Sequence, residues 1–483
     1  MDVKMIALCL VSIFVAMVAA DGISSAPLQD YVDKRDTNNG YTLINSFNSS
    51  STTVYVYTFT SVKWPSGKKG DVWSHFLVIV VPSTITYKDS VFLWIHNGSR
   101  SDGVPSLRDF YVNLLVQGSV VTNAIYAAIT GVPNQPLSYT NNTPNNEDQE
   151  QAASYSNFLE GYGTNYEKLI HFPMVKSVIR AMDAVTDIVK GLVGNEVKKF
   201  ALGGNVRRGW VAYLVAAIDI RVNLLVPLSM NVVGLLESLT HHQQSYGGMS
   251  YILSPYVVAK IIEWVGTDPM NRLVQVLDPL AYKSNLGVTK YMIFAAGDAY
   301  SPPDGTINYF QKLPGNNYLN IIENDDHTLS CHVAEIGLQI IAFHLNFLSG
   351  KPLPTITWTK TQSGNCANLS VNTSSKPTDV RVFYADTPDA TRRDFRYRGA
   401  DPSGQWESVL RPVFWYQAKA DKIDGSNYQA AVCAPSTGWR AFYIKMNFGY
   451  GESQLTFTTN VTILPDTLPF MNCTTDTCGT KIV

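Results

Sequence analysis

Residues 197–210, VKKFALGGNVRRGW, constrain this chain more than any other stretch. A short apolar run, Phe200-Ala201-Leu202, ends in Gly203-Gly204, and a helical pattern opens at about Val206 and continues through Ala212, Leu214, Val215 and Ile218. Glycines at a strand-to-helix junction permit a tight, strained turn that lifts one side chain above the sheet edge, which is how a catalytic nucleophile is presented. The apex of such a turn requires Ser, Cys or Asp. Anchored on Gly204, with Gly209 closing the turn, the apex is Val206; anchored on Gly203 it is Asn205, and the closing glycine is lost. Neither side chain is a nucleophile of that kind, so the turn predicts a site for nucleophilic chemistry without its attacking atom.

The segments around it alternate as an α/β protein does. Strands are predicted at residues 52–62, 76–81, 91–95, 119–129, 222–226, 290–296 and 319–322, and helices at 174–193, 309–313 and 333–348. Strand, helix, strand, turn, helix implies a mostly parallel sheet of the α/β-hydrolase type. Residues 141–151 are polar and are predicted to be exposed. Residues 231–285 break the alternation, carry an apolar helical pattern at 256–265, and are predicted to form a helical cap over the site. Beyond a linker at 351–354, short alternating runs at 355–358, 380–384, 413–416, 428–433, 441–446 and 455–461 predict an all-β sandwich. The expected organisation is residues 1–20 as a signal peptide, 21–355 as the α/β-hydrolase-like domain and 356–483 as the β domain.

The N-terminus supports export. Lys4 precedes an apolar stretch at 5–18, and Val18-Ala19-Ala20 offers small residues for cleavage before Asp21. The stretch is short for a span, which needs roughly 20 residues. Asn48, Asn97, Asn141, Asn368, Asn372, Asn460 and Asn472 each begin an Asn-x-Ser/Thr sequon, the pattern of a glycoprotein. Five cysteines remain after cleavage; Cys473 with Cys478 and Cys366 with Cys433 are candidate disulfides, which leaves Cys331 as a buried free thiol. The net charge of −2 gives no attraction to nucleic acid or to an anionic membrane. Lys34-Arg35 reads as part of a solvated loop.

The other members of a hydrolase site stand in the expected order. Asp298 follows one late strand and His327 the last, as the acid and base of a triad would, with Asp304 as the alternative acid. His96-Asn97-Gly98-Ser99 follows an early strand where backbone N–H groups form an oxyanion hole, and a plain turn explains it equally well. Ser99 and Ser229 lack the strand–turn–helix context of a nucleophile. Arg207 and Arg208 at a helix N-terminus are candidates for binding a small anion. His241-His242 reads as a polar helix end rather than a metal site, because adjacent residues rarely face one ion. No cofactor motif is present.

Several segments, taken in order, resemble the PhoPQ-activated pathogenicity-related proteins. They are Asp71-Val72-Trp73-Ser74-His75, the Gly131–Leu137 stretch GVPNQPL, Arg180-Ala181-Met182-Asp183, Gly204 to Trp210, Asp219-Ile220-Arg221-Val222, Tyr246-Gly247-Gly248, Asp278-Pro279-Leu280-Ala281-Tyr282, Gly297-Asp298 with Pro303-Asp304, Asn324-Asp325-Asp326-His327, Arg393-Asp394-Phe395-Arg396 and Gly438-Trp439-Arg440-Ala441-Phe442. The family's turn has the form G-A-S-K-R-G, which puts its Ser on Val206 and its Lys-Arg on Arg207-Arg208. The resemblance implies a hydrolase fold; the activity it implies meets a valine at the one atom that cannot be lacking. An extracellular branch of the family further implies a signal that slows proliferation and repels cells through a cell-surface receptor or another secreted protein. The alternative is an active secreted esterase or peptidase using an unidentified nucleophile.

Overall fold

The structure, a computed structural model, describes residues 26–65, 70–137, 146–231, 233–404, 407–449, 454–471 and 481–483. The expected signal peptide, the sequons at Asn141 and Asn472, and Cys473 and Cys478 lie outside the described residues.

Nine strands build the central sheet: β1 (Gly40–Ser49), β2 (Thr52–Trp64), β3 (Asp71–Pro82), β4 (Ser90–Ile95), β5 (Ile125–Ile129), β6 (Lys199–Asn205), β7 (Val222–Leu228), β8 (Thr289–Ala295) and β9 (Asn317–Ile322), in the order β1-β2-β3-β5-β4-β6-β7-β8-β9. The first three are antiparallel, and β5 onward runs parallel. This is the mostly parallel α/β-hydrolase sheet, with the glycine turn leaving the end of β6. Strands covered on both faces are apolar throughout, and β5, IYAAI, is buried at every position.

Helices α1 (Ala26–Asp33), α2 (Phe110–Thr122), α3 (Glu147–Glu160), α4 (His171–Val193), α5 (Arg207–Ile218) and α9 (Val333–Leu348) flank the sheet and its site; α6 (Leu235–Tyr246), α7 (Ser254–Val258) and α8 (Asp268–Leu277) come between β7 and β8. Alternate residues of β4 feed opposite layers. Val91, Leu93 and Ile95 join the core of α1, α4 and α5, while Phe92 joins that of α2 and α9.

Three local expectations are corrected. The predicted strand at 119–129 is two elements, because the valines at its start belong to α2, which ends at Asn123 (φ 52°), and only Ile125–Ile129 is strand. Burial of Val112, Leu115 and Val116 against the sheet outweighs the weak helix propensity of the β-branched residues that follow. Residues 141–151 are not simply an exposed loop: α3 starts at Glu147 under a capping box in which Asn146 and Gln149 satisfy each other's backbone N–H groups, and Glu150 and Gln151 are buried. The pattern at 256–265 is not one helix, for α7 ends at Val258, Lys260 takes φ 56°, and a 3₁₀ turn follows at Ile262–Trp264.

The C-terminal region is antiparallel β. One sheet holds Ile356–Ser363, Cys366–Thr373, Asn427–Cys433 and Asp421–Lys422; the other holds Tyr416–Lys419, Asp379–Asp386, Arg440–Phe448, Leu455–Thr458 and Thr462–Leu464. Cys366 and Cys433 face each other across one ladder and form a disulfide. Cys331 is a free thiol but is exposed rather than buried, since it sits in the loop before α9. Asn48, Asn97 and Asn372 are exposed and Asn368 is half-buried. Asn460 is buried, with Oδ1 accepting from Thr306 Oγ1 at 3.3 Å, which corrects its reading as a glycan site because a glycan needs an exposed amide.

Candidate functional site

The apex of the turn is Val206, with φ 56° and ψ −117°. A β-branched residue avoids this region, and such strain costs about 1–3 kcal/mol. It is held in place by the Val206 N–H, which donates to the Leu228 carbonyl at 2.8 Å, and by the Val206 carbonyl, which accepts from Trp210 N–H at 3.2 Å. Gly204 and Gly209 are obligatory here. A Cβ on Gly204 would lie 2.7 Å from the Arg208 backbone, and one on Gly209 would lie 3.0 Å from the Gly204 oxygen. Asn205 still belongs to β6, so the apex is the valine. Arg207 opens α5, so its N–H has no intrahelical acceptor.

Asp298 and His327 come together, and His327 lines the same cavity as Val206. His327 Nδ1 lies 2.9 and 2.8 Å from the two Asp298 carboxylate oxygens, and Asp298 Oδ1 also accepts from Tyr300 N–H at 2.7 Å. Both residues are buried. A carboxylate only accepts, so the imidazole carries a proton on Nδ1, and in the neutral ring Nε2 is then the acceptor. That Nε2 is buried and meets no hydrogen-bond partner among the described residues. An imidazole held this way by a carboxylate has the tautomer a general base uses, and His327 shares a cavity wall with Val206.

Asp304 serves a different purpose. Its oxygens lie 2.8 Å from His241 Nε2 and 2.7 Å from Arg393 Nη1. Burial alone would raise its carboxyl, but the Arg393 guanidinium first, and then His241, outweigh that and hold it well below the usual carboxylate range. His242 turns elsewhere, its Nε2 accepting from Ser250 N–H at 2.9 Å, so the adjacent histidines do not converge on a common point. Ser229 donates its hydroxyl to the His327 carbonyl at 2.7 Å rather than facing the imidazole. Ser99 lies in the loop after β4, bonded to Ser101 at 2.9 Å.

Arg207 and Arg208 are both buried, and α3, which the sequence reading missed, supplies their partners. Arg207 reaches Gln151 Oε1 at 2.9 Å, Asp148, and Glu147 at 3.9 Å; Arg208 reaches Glu147 at 2.7 Å and the Val132 carbonyl at 2.5 Å. Tyr256 and Tyr300 hydroxyls also donate to Asp148, at 3.0 and 3.1 Å. Burial opposes the Arg207 charge, but the field of Tyr256 and Glu147 outweighs it and raises the guanidinium. Arg208 is lowered, by burial first, with Glu147 opposing and Arg207 adding to it. Two cations face two carboxylates, so the expectation of a small-anion site gains no support. The capping signature at Asn146 and Gln149 was the sequence signal for this helix.

A cavity of about 100 Å³ lies under α6, α7 and α8, with Val206, His327, Met230, Leu239, Tyr256 and Leu273 in its wall. A wider groove of about 790 Å³ lies on the other side of Val206, bordered by His96, Asn97, Tyr111 and Arg208. His96 is lowered to about 4 by burial and then by Arg208.

The structure brings a bonded Asp298–His327 pair and the strained turn at Val206 to one cavity. The chain is 28% identical over 487 residues to autocrine proliferation repressor protein A of Dictyostelium discoideum, covering 97% of this chain and 96% of that protein. Among solved structures it is similar to an acetyl xylan esterase from Paenibacillus sp. R4, with TM-score 0.46, 16% identity, and coverage of 68% of this chain and 93% of that one. It is similar also to an S-formylglutathione hydrolase from Agrobacterium tumefaciens, with TM-score 0.40, 11% identity, and coverage of 64% and 99%. The family model for PhoPQ-activated pathogenicity-related proteins matches residues 28–396, and the chain belongs to that family.

Proposed function

We propose that this chain is a secreted glycoprotein whose hydrolase site has lost catalysis and which acts as an extracellular signal restraining cell proliferation, through a surface receptor or another secreted protein. The observation that carries the reading is Val206 at the strained apex of the turn, sharing a cavity with the bonded Asp298–His327 pair. The name of the Dictyostelium discoideum relative supports the signalling part. The working division is a signal peptide at 1–20, a hydrolase-like unit at 21–355 with a cap at 231–285, and a β-sandwich unit at 356–483. Asn48, Asn97, Asn368 and Asn372 are the glycan sites this reading keeps among the described residues.

The test is a broad ester and peptide panel on the purified secreted protein, alongside its His327→Ala form, with the effect of both on cell growth measured in parallel. The reading expects no turnover above His327→Ala and slowed growth with either protein. Turnover that His327→Ala abolishes sinks the non-catalytic part, and unchanged growth sinks the signalling part. An active esterase or peptidase is the second reading, favoured by one observation: the Asp298–His327 pair is still assembled, with Nε2 unengaged.

A further inference from the structure

The cavity under α6–α8 lies beside chemistry that the missing nucleophile leaves idle. Its wall is mostly hydrocarbon and aromatic, from Val206, Met230, Leu239, Leu273, Trp210 and Tyr155. Two polar atoms of cavity-lining residues have no partner among the described residues, His327 Nε2 and His242 Nδ1. The first is an acceptor in the neutral ring, because Asp298 holds a proton on Nδ1. The second is a donor, because His242 Nε2 accepts from Ser250. A buried polar group left unpaired costs about 1–3 kcal/mol, and a ligand that pairs it recovers that cost on binding.

Charge narrows the ligand further. Arg207 and Arg208 are balanced by Glu147 and Asp148, and the Tyr256 and Tyr300 hydroxyls are spent on Asp148. The Ser229 hydroxyl is spent on the His327 carbonyl. No net charge faces the cavity from this cluster, so a carboxylate or phosphate would be desolvated without compensation. Size narrows it again. An apolar cavity of about 150 Å³ accommodates benzene, so about 100 Å³ puts a single six-membered ring at the upper limit of size and favours compact ligands. Met230 and Met270 give the wall some adaptability toward a ring.

We propose that this cavity binds a compact, uncharged hydroxyl compound, a small alcohol or phenol, whose O–H donates to His327 Nε2 while its hydrocarbon body fills the space beside Val206. The proposal rests on the reading that Val206 has removed turnover, so that a ligand placed there is retained. His327 then serves as a binding residue, and Asp298 fixes the tautomer that makes it an acceptor.

The probes are phenol and benzene, which share a ring and differ in the hydroxyl. Calorimetric titration of the intact protein should show saturable phenol binding about five- to tenfold tighter than benzene. Leu273→Trp, which fills the cavity, should abolish binding of both. His327→Leu should retain benzene and bring phenol to within about twofold of it. In the wild-type protein labelled with ¹⁵N-histidine, phenol and not benzene should shift the His327 Nε2 resonance, a readout that stands even where His327→Leu fails to fold. Absent phenol binding, binding that survives Leu273→Trp, or an unmoved Nε2 resonance overturns the proposal. The failures separate: ester turnover by the wild-type protein removes the non-catalytic reading, whereas lack of phenol binding with no turnover removes this proposal alone.

Discussion

Arg393 Nη1 lies 2.7 Å from Asp304 Oδ2, both side chains buried, so a residue of the C-terminal half is ion-paired to the loop after β8. Asp304 in turn holds His241 of α6 at 2.8 Å. The same half braces the His327 loop, since Trp415 N–H donates to Asn324 Oδ1 at 2.7 Å and Arg398 Nε donates to Asp326 at 2.9 Å. The loops that set the acid and base are therefore held from outside the central sheet. Arg393→Met keeps the hydrocarbon stem and strands a buried carboxylate, and breaking such a pair costs about 3–5 kcal/mol. Urea denaturation should show a loss of that order, whereas Arg381→Met, at a half-exposed pair with Asp379, should change stability by less than about 1 kcal/mol.

His171 is fully buried between Tyr155 and Trp210, with ring centroids 5.9 and 4.7 Å away and neither nitrogen partnered among the described residues. Burial lowers it to about 3, and it likewise lowers His242 and His344 to about 3 and His75 to about 4. These groups stay neutral in the fold while the unfolded chain takes up protons below about pH 6.5. Their contribution is fully present above that pH and is lost as pH falls toward the folded values. Asp304, lowered by Arg393 and His241 against burial, acts only below the ordinary carboxylate range, so the two windows separate. His171→Phe removes one such group. Its stability relative to wild type should rise by about 2 kcal/mol between pH 7 and pH 5, read by denaturation at each pH.

The turn and the Asp298–His327 pair were legible because their signals are local. Gly204 and Gly209 bracket Val206 for a steric reason that six residues contain, and Asp298 and His327 each follow a recognisable strand end. What escaped depends on distant packing. Glu147 and Asp148 look like loop acids until α3 carries them to Arg208 and Arg207, 61 and 59 positions along the chain. Val120-Val121-Thr122 reads as strand by composition, yet helix packing decides its state. The choice between Asp298 and Asp304 needed Arg393, some ninety residues beyond either and in a different structural layer.

The dependence of the Arg207–Arg208 cluster on α3 gives a third expectation. Asp148→Asn removes the charge facing Arg207 while keeping shape, and an uncompensated buried guanidinium should lower stability by about 3 kcal/mol. Asn146→Ala removes only the cap of the same helix and should cost about 1 kcal/mol. Thermal denaturation of the two variants separates the charge effect from helix loss; equal losses would mean that the carboxylate matters only through the helix.

Val206 gives the most informative single change. Its backbone already has a strained strand-to-helix turn, Arg207 opens α5 so that its N–H has no intrahelical acceptor, and His327 Nε2 has no partner among the described residues. Val206→Ser supplies an Oγ of smaller volume in the same strained turn, so no rearrangement of the sheet is required. Nucleophile, base and acid act as a unit, and restoring the missing member should raise hydrolysis of a small ester such as p-nitrophenyl acetate at least ~100-fold over wild type. His327→Ala in the Val206→Ser background should return the rate to the wild-type level, and Asp298→Asn should cut it strongly by losing the correct tautomer. Covalent labelling by a fluorophosphonate should follow the same pattern. A Val206→Ser protein that folds, binds the probe and shows neither labelling nor turnover would mean that the Asp298–His327 pair is held for structure, and that more than one atom separates this site from a working hydrolase.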